Sequence, residues 1–134
     1  MGIEYFDFDL AKENKIGVDV GMFIHVLEHL FEATNVLKKL SNIKYLVIVV
    51  PNFSYIKERI RVVKGNVPYN MNPERGGHCY WFNKRILEDI IKESDYKILK
   101  FDYAVPNKIK KIPILNKFNN LFATQLGVLL ENKN

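Results

Sequence analysis

The sequence predicts an α/β domain with a mostly parallel sheet, helices on both faces and an antiparallel last strand. Three observations carry this expectation. Short β-branched runs alternate with segments of helical periodicity. The run from Lys44 to Val50 is apolar almost without interruption, as a strand covered on both faces must be. The element order ends on two strand-like runs, so the final strand turns back against its neighbour.

In chain order, Ile3 to Leu10 reads as a strand and Ile16 to Ile24 contains a second. Glu32 to Leu40 has Val36, Leu37 and Leu40 at helical spacing, Lys38 and Lys39 on the other side, and Ser41-Asn42 as a stop. The Lys44 to Val50 strand closes on Pro51-Asn52. Ser54 is placed to cap a helix through Val63 that Lys64-Gly65 ends. Asn66 to His78 is a long irregular loop of the kind that forms active-site lids or binding loops. Asn83 caps a helix with the stripe Ile86, Leu87, Ile90 and Ile91, ended by Ser94-Asp95. Tyr96 to Val105 and Ala123 to Leu130 read as the last strands. Between them, Pro106 to Phe122 places Lys108, Lys110, Lys111 and Lys117 among isoleucines, leucine and phenylalanine. This is a solvated connection or a basic surface for phosphate or lipid headgroups.

The chain has 134 residues, 48% of them hydrophobic and 26% charged, which fits one globular domain and excludes disorder along its length. The net charge is +5, with Lys far more abundant than Arg, so base reading by bidentate Arg is not indicated. The single cysteine, Cys79, excludes an internal disulfide and a cysteine-only zinc site and fits a reducing, cytoplasmic setting. No apolar run reaches membrane-spanning length, and the first residues lack the pattern of a signal peptide.

Ligands of open α/β sheets bind outside the carboxyl ends of the strands. That rule places His25 to Leu30, the chain after Asn52 and the loop reaching His78 around one crevice. If His25-Val26-Leu27-Glu28-His29 turns helically, His25, Glu28 and His29 share a face. With His78 they form a candidate site for a divalent metal such as Zn²⁺, Fe²⁺, Mn²⁺ or Co²⁺. The same residues also suit hydrogen-bonded structural roles. Tyr80 and Trp81 are candidates for stacking on a flat substrate, while Phe82 reads as packing. Asp7 and Asp9, near the end of the first strand, are placed to meet an adenine amine or ribose, or to cap a turn. No G-x-G and no phosphate-binding glycine loop occurs in the sequence.

Val18-Asp19-Val20-Gly21-Met22-Phe23-Ile24-His25-Val26-Leu27-Glu28-His29-Leu30, then Val36 to Leu40 and Leu46 to Asn52, resembles the fourth strand, following helix and fifth strand of class I S-adenosylmethionine-dependent methyltransferases. Gly77-His78-Cys79-Tyr80-Trp81-Phe82-Asn83 is similar to that family's entry to its next helix. The resemblance implies a Rossmann-like methyltransferase fold in a single domain, residues 1 to 134, truncated so that it lacks the usual first two strands and the glycine-rich loop. It implies S-adenosylmethionine as cofactor, with Asp9 at the adenine and His25 beside cofactor and substrate. His25 and His78 become the candidate catalytic residues. In one branch, the small-RNA 3′-terminal 2′-O-methyltransferases, the positions of His25, Glu28, His29 and His78 bind a divalent metal. The implied function is a methyltransferase-like protein with weakened or lost cofactor binding, acting as a binding or assembly module. The alternative is an active enzyme on a small molecule, a sugar or lipid, or an RNA end, completed by a partner chain. A homodimer or a partner chain is expected to cover the sheet edge left by the missing strands.

Overall fold

The computed structural model describes residues 18–69 and 78–133. The expected strand Ile3 to Leu10, with Asp7 and Asp9, lies outside the described residues. Within them a four-stranded sheet forms from β1 (Val20–Ile24), β2 (Tyr45–Pro51), β3 (Tyr96–Ala104) and β4 (Gln125–Asn132), in the order β1-β2-β4-β3. β1 and β2 pair in parallel, whereas β4 is antiparallel to both β2 and β3. Three strands therefore share one direction and only the last opposes them, as the sequence predicts. The helices are α1 (Ala33–Lys39), α2 (Ile56–Val63), α3 (Lys84–Lys92), α4 (Asn107–Lys110) and α5 (Asn119–Phe122), with 3₁₀ turns at Leu27–His29 and Pro113–Phe118.

Strand alternation builds one buried face. Leu46, Ile48 and Val50 of β2 lie opposite Leu130, Val128 and Leu126 of β4, and all six are buried. Leu37 of α1 and Leu87 and Ile91 of α3 close over them, with Phe82 and Leu27 sealing the end near the carboxyl termini of the parallel strands. Gly21 pairs with Leu46 on this face, and a Cβ there would sit 2.7 Å from Leu46 Cδ2, so β1 approaches the core closely only because position 21 has no side chain.

On the opposite face Val20, Met22 and Ile24 are each at least half exposed, so no helix of the described residues covers β1 there.

β3 departs from simple alternation. A register shift between Ile98 and Lys100 inserts Leu99 as an extra residue, after which Phe101 and Tyr103 join the buried face beside Val128 and Leu126. Without this bulge Lys100 and Asp102 would point into the core.

α3 starts as expected, with Asn83 Oδ1 accepting from Ile86 N at 2.9 Å. α2 does not. Ser54 does not cap it; instead its backbone N–H donates to Asn52 Oδ1 at 3.0 Å, forming a local turn, and Tyr55 takes the cap position. Gly65, at φ +76°, ends α2 in the left-handed conformation.

Tyr96 anchors the loop after α1. Its hydroxyl donates toward the carbonyls of Leu40 and Ile43, the latter at 2.8 Å, and burial pushes its pKa up to about 12. Tyr96→Phe is expected to lower stability by about 1 kcal/mol in urea denaturation, because the Ile43 carbonyl loses its side-chain donor while Leu40 O keeps the N–H of Ile43 at 2.9 Å. An unchanged midpoint would show that water replaces the hydroxyl.

Candidate functional site

The site begins where β1 ends. His25 N donates to Val49 O at 2.9 Å, continuing the ladder to β2, and His25 then adopts φ +54°. A left-handed residue other than glycine is uncommon and reverses the chain sharply. The 3₁₀ turn follows, with His29 N donating to Val26 O at 3.0 Å and Leu27 locked into the core. Leu27 fixes the turn's rotation, so the Glu28 side chain also points inward and is only 1% exposed.

The loop end around His78 is clamped onto this turn. The backbone carbonyl of Glu28 accepts from Cys79 N at 2.8 Å and from Tyr80 N at 3.1 Å, and Tyr80 Oη donates to Phe31 O at 2.6 Å. These bonds bring the His78 ring edge-on to His29, with centroids 4.7 Å apart. Glu28, His29 and His78 thereby place one ligating atom each within 4.8 Å of one another.

His25 is held differently from the expected shared face. The turn is 3₁₀ and His25 precedes it in left-handed geometry, so its ring stands beside Glu28, with Nδ1 3.2 Å from Glu28 Oε1. The compact group among the described residues is Glu28, His29 and His78, without His25.

The electrostatics of this group are unbalanced. Glu28 Oε1 faces His25, while Oε2 is buried with no hydrogen-bond partner. A buried carboxylate oxygen left unpaired is costly and is expected where a ligand completes the site. Burial holds the His78 pKa below the ordinary histidine value; Glu28 opposes that shift and His29 and His25 reinforce it. A neutral imidazole is the form that binds metals. Tetrahedral metal–ligand bonds of about 2.1 Å place ligand atoms about 3.4 Å apart. The donor types, two imidazoles and a carboxylate, suit a divalent cation, and the side chains would have to close by about an ångström from their 4.8 Å spread to hold one.

Beside the group, a cleft of about 230 Å³ lies between Pro51, Tyr55, Pro68, His78, Tyr80 and Trp81. Its floor is set by Asn52, whose Nδ2 donates to Asn120 O at 2.7 Å and Ala123 O at 2.9 Å. Trp81 is 40% exposed at the rim, open to a ligand. Tyr80 stacks on Phe82 and spends its hydroxyl on Phe31, so it shapes the wall. Asp9 lies outside the described residues. Sequence reasoning assigned no structural role to Asn52; its signal was the Pro-Asn pair closing a buried strand.

No family model and no curated protein matches the chain. Solved structures do. An S-adenosylmethionine-dependent methyltransferase from Archaeoglobus fulgidus superposes with TM-score 0.59 at 18% identity, covering 97% of this chain and 66% of that one. The small RNA methyltransferase HEN1 gives 0.58 at 15% identity, over 91% of this chain and 15% of its own. Magnesium protoporphyrin IX methyltransferase from Synechocystis PCC 6803, solved with bound S-adenosylhomocysteine, gives 0.50 at 13% identity, over 89% and 47%. The chain spans about two thirds of the first of these proteins and less than half of the others. At such identities the likeness is one of fold, and that fold is methyltransferase-like and Rossmann-like.

Because the His78 pKa is lowered on folding, the unfolded chain binds a proton that the native state resists. Stability is therefore expected to fall as pH drops below about 6.5, the ordinary histidine value, and to level off below the native pKa. His78→Gln should flatten that part of a stability–pH curve measured by urea unfolding; an unchanged slope would place the titration elsewhere.

Proposed function

We propose that the chain is a methyltransferase-like domain whose crevice is the acceptor side of an S-adenosylmethionine-dependent methyl transfer. On their own, these 134 residues hold the methyl donor weakly and act as a binding or assembly module. The observation that supports this most is the position of the polar group: it leaves the carboxyl end of β1 in a sheet whose fold is shared with three methyltransferases. The weak donor affinity is argued from the sequence, which contains no G-x-G turn to present backbone amides to the donor's carboxylate end.

S-adenosylmethionine, when bound, supplies an activated methyl group. The chain's residues would orient the acceptor and take its proton. His78, which lines the cleft and whose pKa burial lowers, and His25, its ring oriented by Glu28 Oε1, would be the two bases. Trp81, Tyr80 and Pro51 wall the cleft and exclude water from one side. Asp9 remains the candidate for the adenine.

The orphan Oε2 of Glu28 favours a second reading, a metal-assisted site. Glu28, His29 and His78 would hold a divalent cation, with His25 adjoining through Glu28. Such an ion lowers the pKa of a bound hydroxyl and fixes its direction. This chemistry suits an RNA-end or small-molecule hydroxyl as acceptor.

Calorimetry separates these readings. With S-adenosylmethionine or S-adenosylhomocysteine, no saturation is expected below about 1 mM; a Kd tighter than about 100 μM would contradict the weak-donor reading. Mn²⁺ or Co²⁺ is expected to bind one to one and to lose affinity at least about tenfold in His78→Ala. No heat with either ion would remove the metal-assisted reading.

A further inference from the structure

Two segments beside the crevice carry eight of the chain's twenty Lys and Arg residues and almost none of its core. α2 buries no residue, and no described side chain from Pro106 to Phe118 is buried. Both nevertheless hold large apolar side chains. Ile60, Val62 and Val63 are 46%, 50% and 87% exposed, and Ile112, Ile114 and Phe118 are 44%, 68% and 55% exposed. Isolated exposed apolar residues are ordinary, but a run of them on segments that contribute nothing to the core marks a contact surface.

The charge on these segments is one-sided. Lys57, Arg59, Arg61 and Lys64 on and after α2, with Lys108, Lys110, Lys111 and Lys117, make eight cations against the single acid Glu58, or +7. The whole chain carries +5, so the remainder is −2. Glu58 is itself engaged by Arg61 at 3.9 Å and by the backbone N–H of Tyr69 at 2.9 Å. The two segments meet where Arg59, Lys117 and Phe118 line one shallow depression.

We propose that this basic, apolar surface docks the protein onto an anionic lipid bilayer, with Ile114 and Phe118 entering the interface and the lysines contacting the headgroups. The residue types separate this partner from a nucleic acid. Six of the eight cations are Lys, with Arg59 and Arg61 the exceptions, and the exposed apolar side chains are aliphatic apart from Phe118; single-stranded RNA is gripped by stacking aromatics and Arg. Lys stems with short aliphatic insertions suit a headgroup layer. The docking surface also adjoins the crevice, because the chain after Phe118 supplies the carbonyls of Asn120 and Ala123 that hold Asn52. The proposal is independent of the methyl-transfer reading, since it uses neither Glu28 nor the histidines.

Co-sedimentation of the full chain with vesicles tests it, comparing equal parts phosphatidylglycerol and phosphatidylcholine with phosphatidylcholine alone. Binding is expected only to the anionic vesicles. Lys110→Gln with Lys111→Gln is expected to weaken it roughly 25-fold, at about fivefold per lysine. Ile114→Ser with Phe118→Ser is expected to weaken it at least about tenfold and to remove what binding survives high salt. All four positions are exposed, and unchanged circular dichroism would confirm that the variants fold. The proposal is overturned if anionic vesicles leave the protein in the supernatant, if the Ser variant binds as well as the parent, or if a single-stranded RNA oligonucleotide displaces the vesicles.

Discussion

The placement of β4 is the constraint on which the sheet depends. The last strand in the sequence is not the last in space: it lies between β2 and β3, paired antiparallel with both. Leu126, Val128 and Leu130 meet Val50, Ile48 and Leu46 on one side and Tyr103, Phe101 and Ile98 on the other. Three rows of the core therefore form only once the chain's final segment has inserted, and β3 has no other partner among the described strands. The same insertion sets the crevice floor. Thr124, just before β4, accepts from Asn52 N at 3.0 Å, and Asn52 Nδ2 reaches back to Asn120 and Ala123. The end of β2 is thus tied to the start of β4 by backbone and side chain together.

Glu28 stands in the same relation to the site. Its backbone carbonyl fixes Cys79 and Tyr80, its carboxylate orients His25, and its neighbour Leu27 is buried in the core. A buried charge with one oxygen unpaired is a poor way to gain stability. Such a group persists where rigid surroundings hold it and a ligand repays it, which is the arrangement expected of a site prepared for a cation or a polar acceptor. The left-handed His25 belongs to the same device: at φ +54° it turns the chain from β1 into the 3₁₀ turn while its Nδ1 stays 3.2 Å from Glu28 Oε1.

Much of the fold was legible in the sequence because periodicity and punctuation agreed. The apolar run of β2, the Asn83 cap and stripe of α3, the Gly65 stop and the antiparallel final strand are local signals, and each recurs in the structure. The misses have tertiary causes. Ser54 is a good cap in isolation, but the Asn52 side chain takes its N–H because the carbonyls near β4 fix that amide in place. The bulge at Leu99 depends on the register with β4 and leaves no mark in β3 itself. At the site, the spacing of His25, Glu28 and His29 pointed to the right turn, but helical periodicity assumed one regular helix. Positive φ at His25 and a 3₁₀ geometry redistributed the group, and His78 joined through backbone bonds that no spacing encodes.

The central claim is that the crevice at the carboxyl ends of β1 and β2 is the ligand side of a methyltransferase-like fold. An amide-resolved NMR titration with S-adenosylhomocysteine tests it most directly. Progressive fast-exchange shifts, weak in affinity, are expected at the amides of His25 to Leu30, Asn52 to Tyr55 and Cys79 to Phe82. Shifts concentrated at the opposite ends of the strands, or no shifts at millimolar ligand, would contradict it.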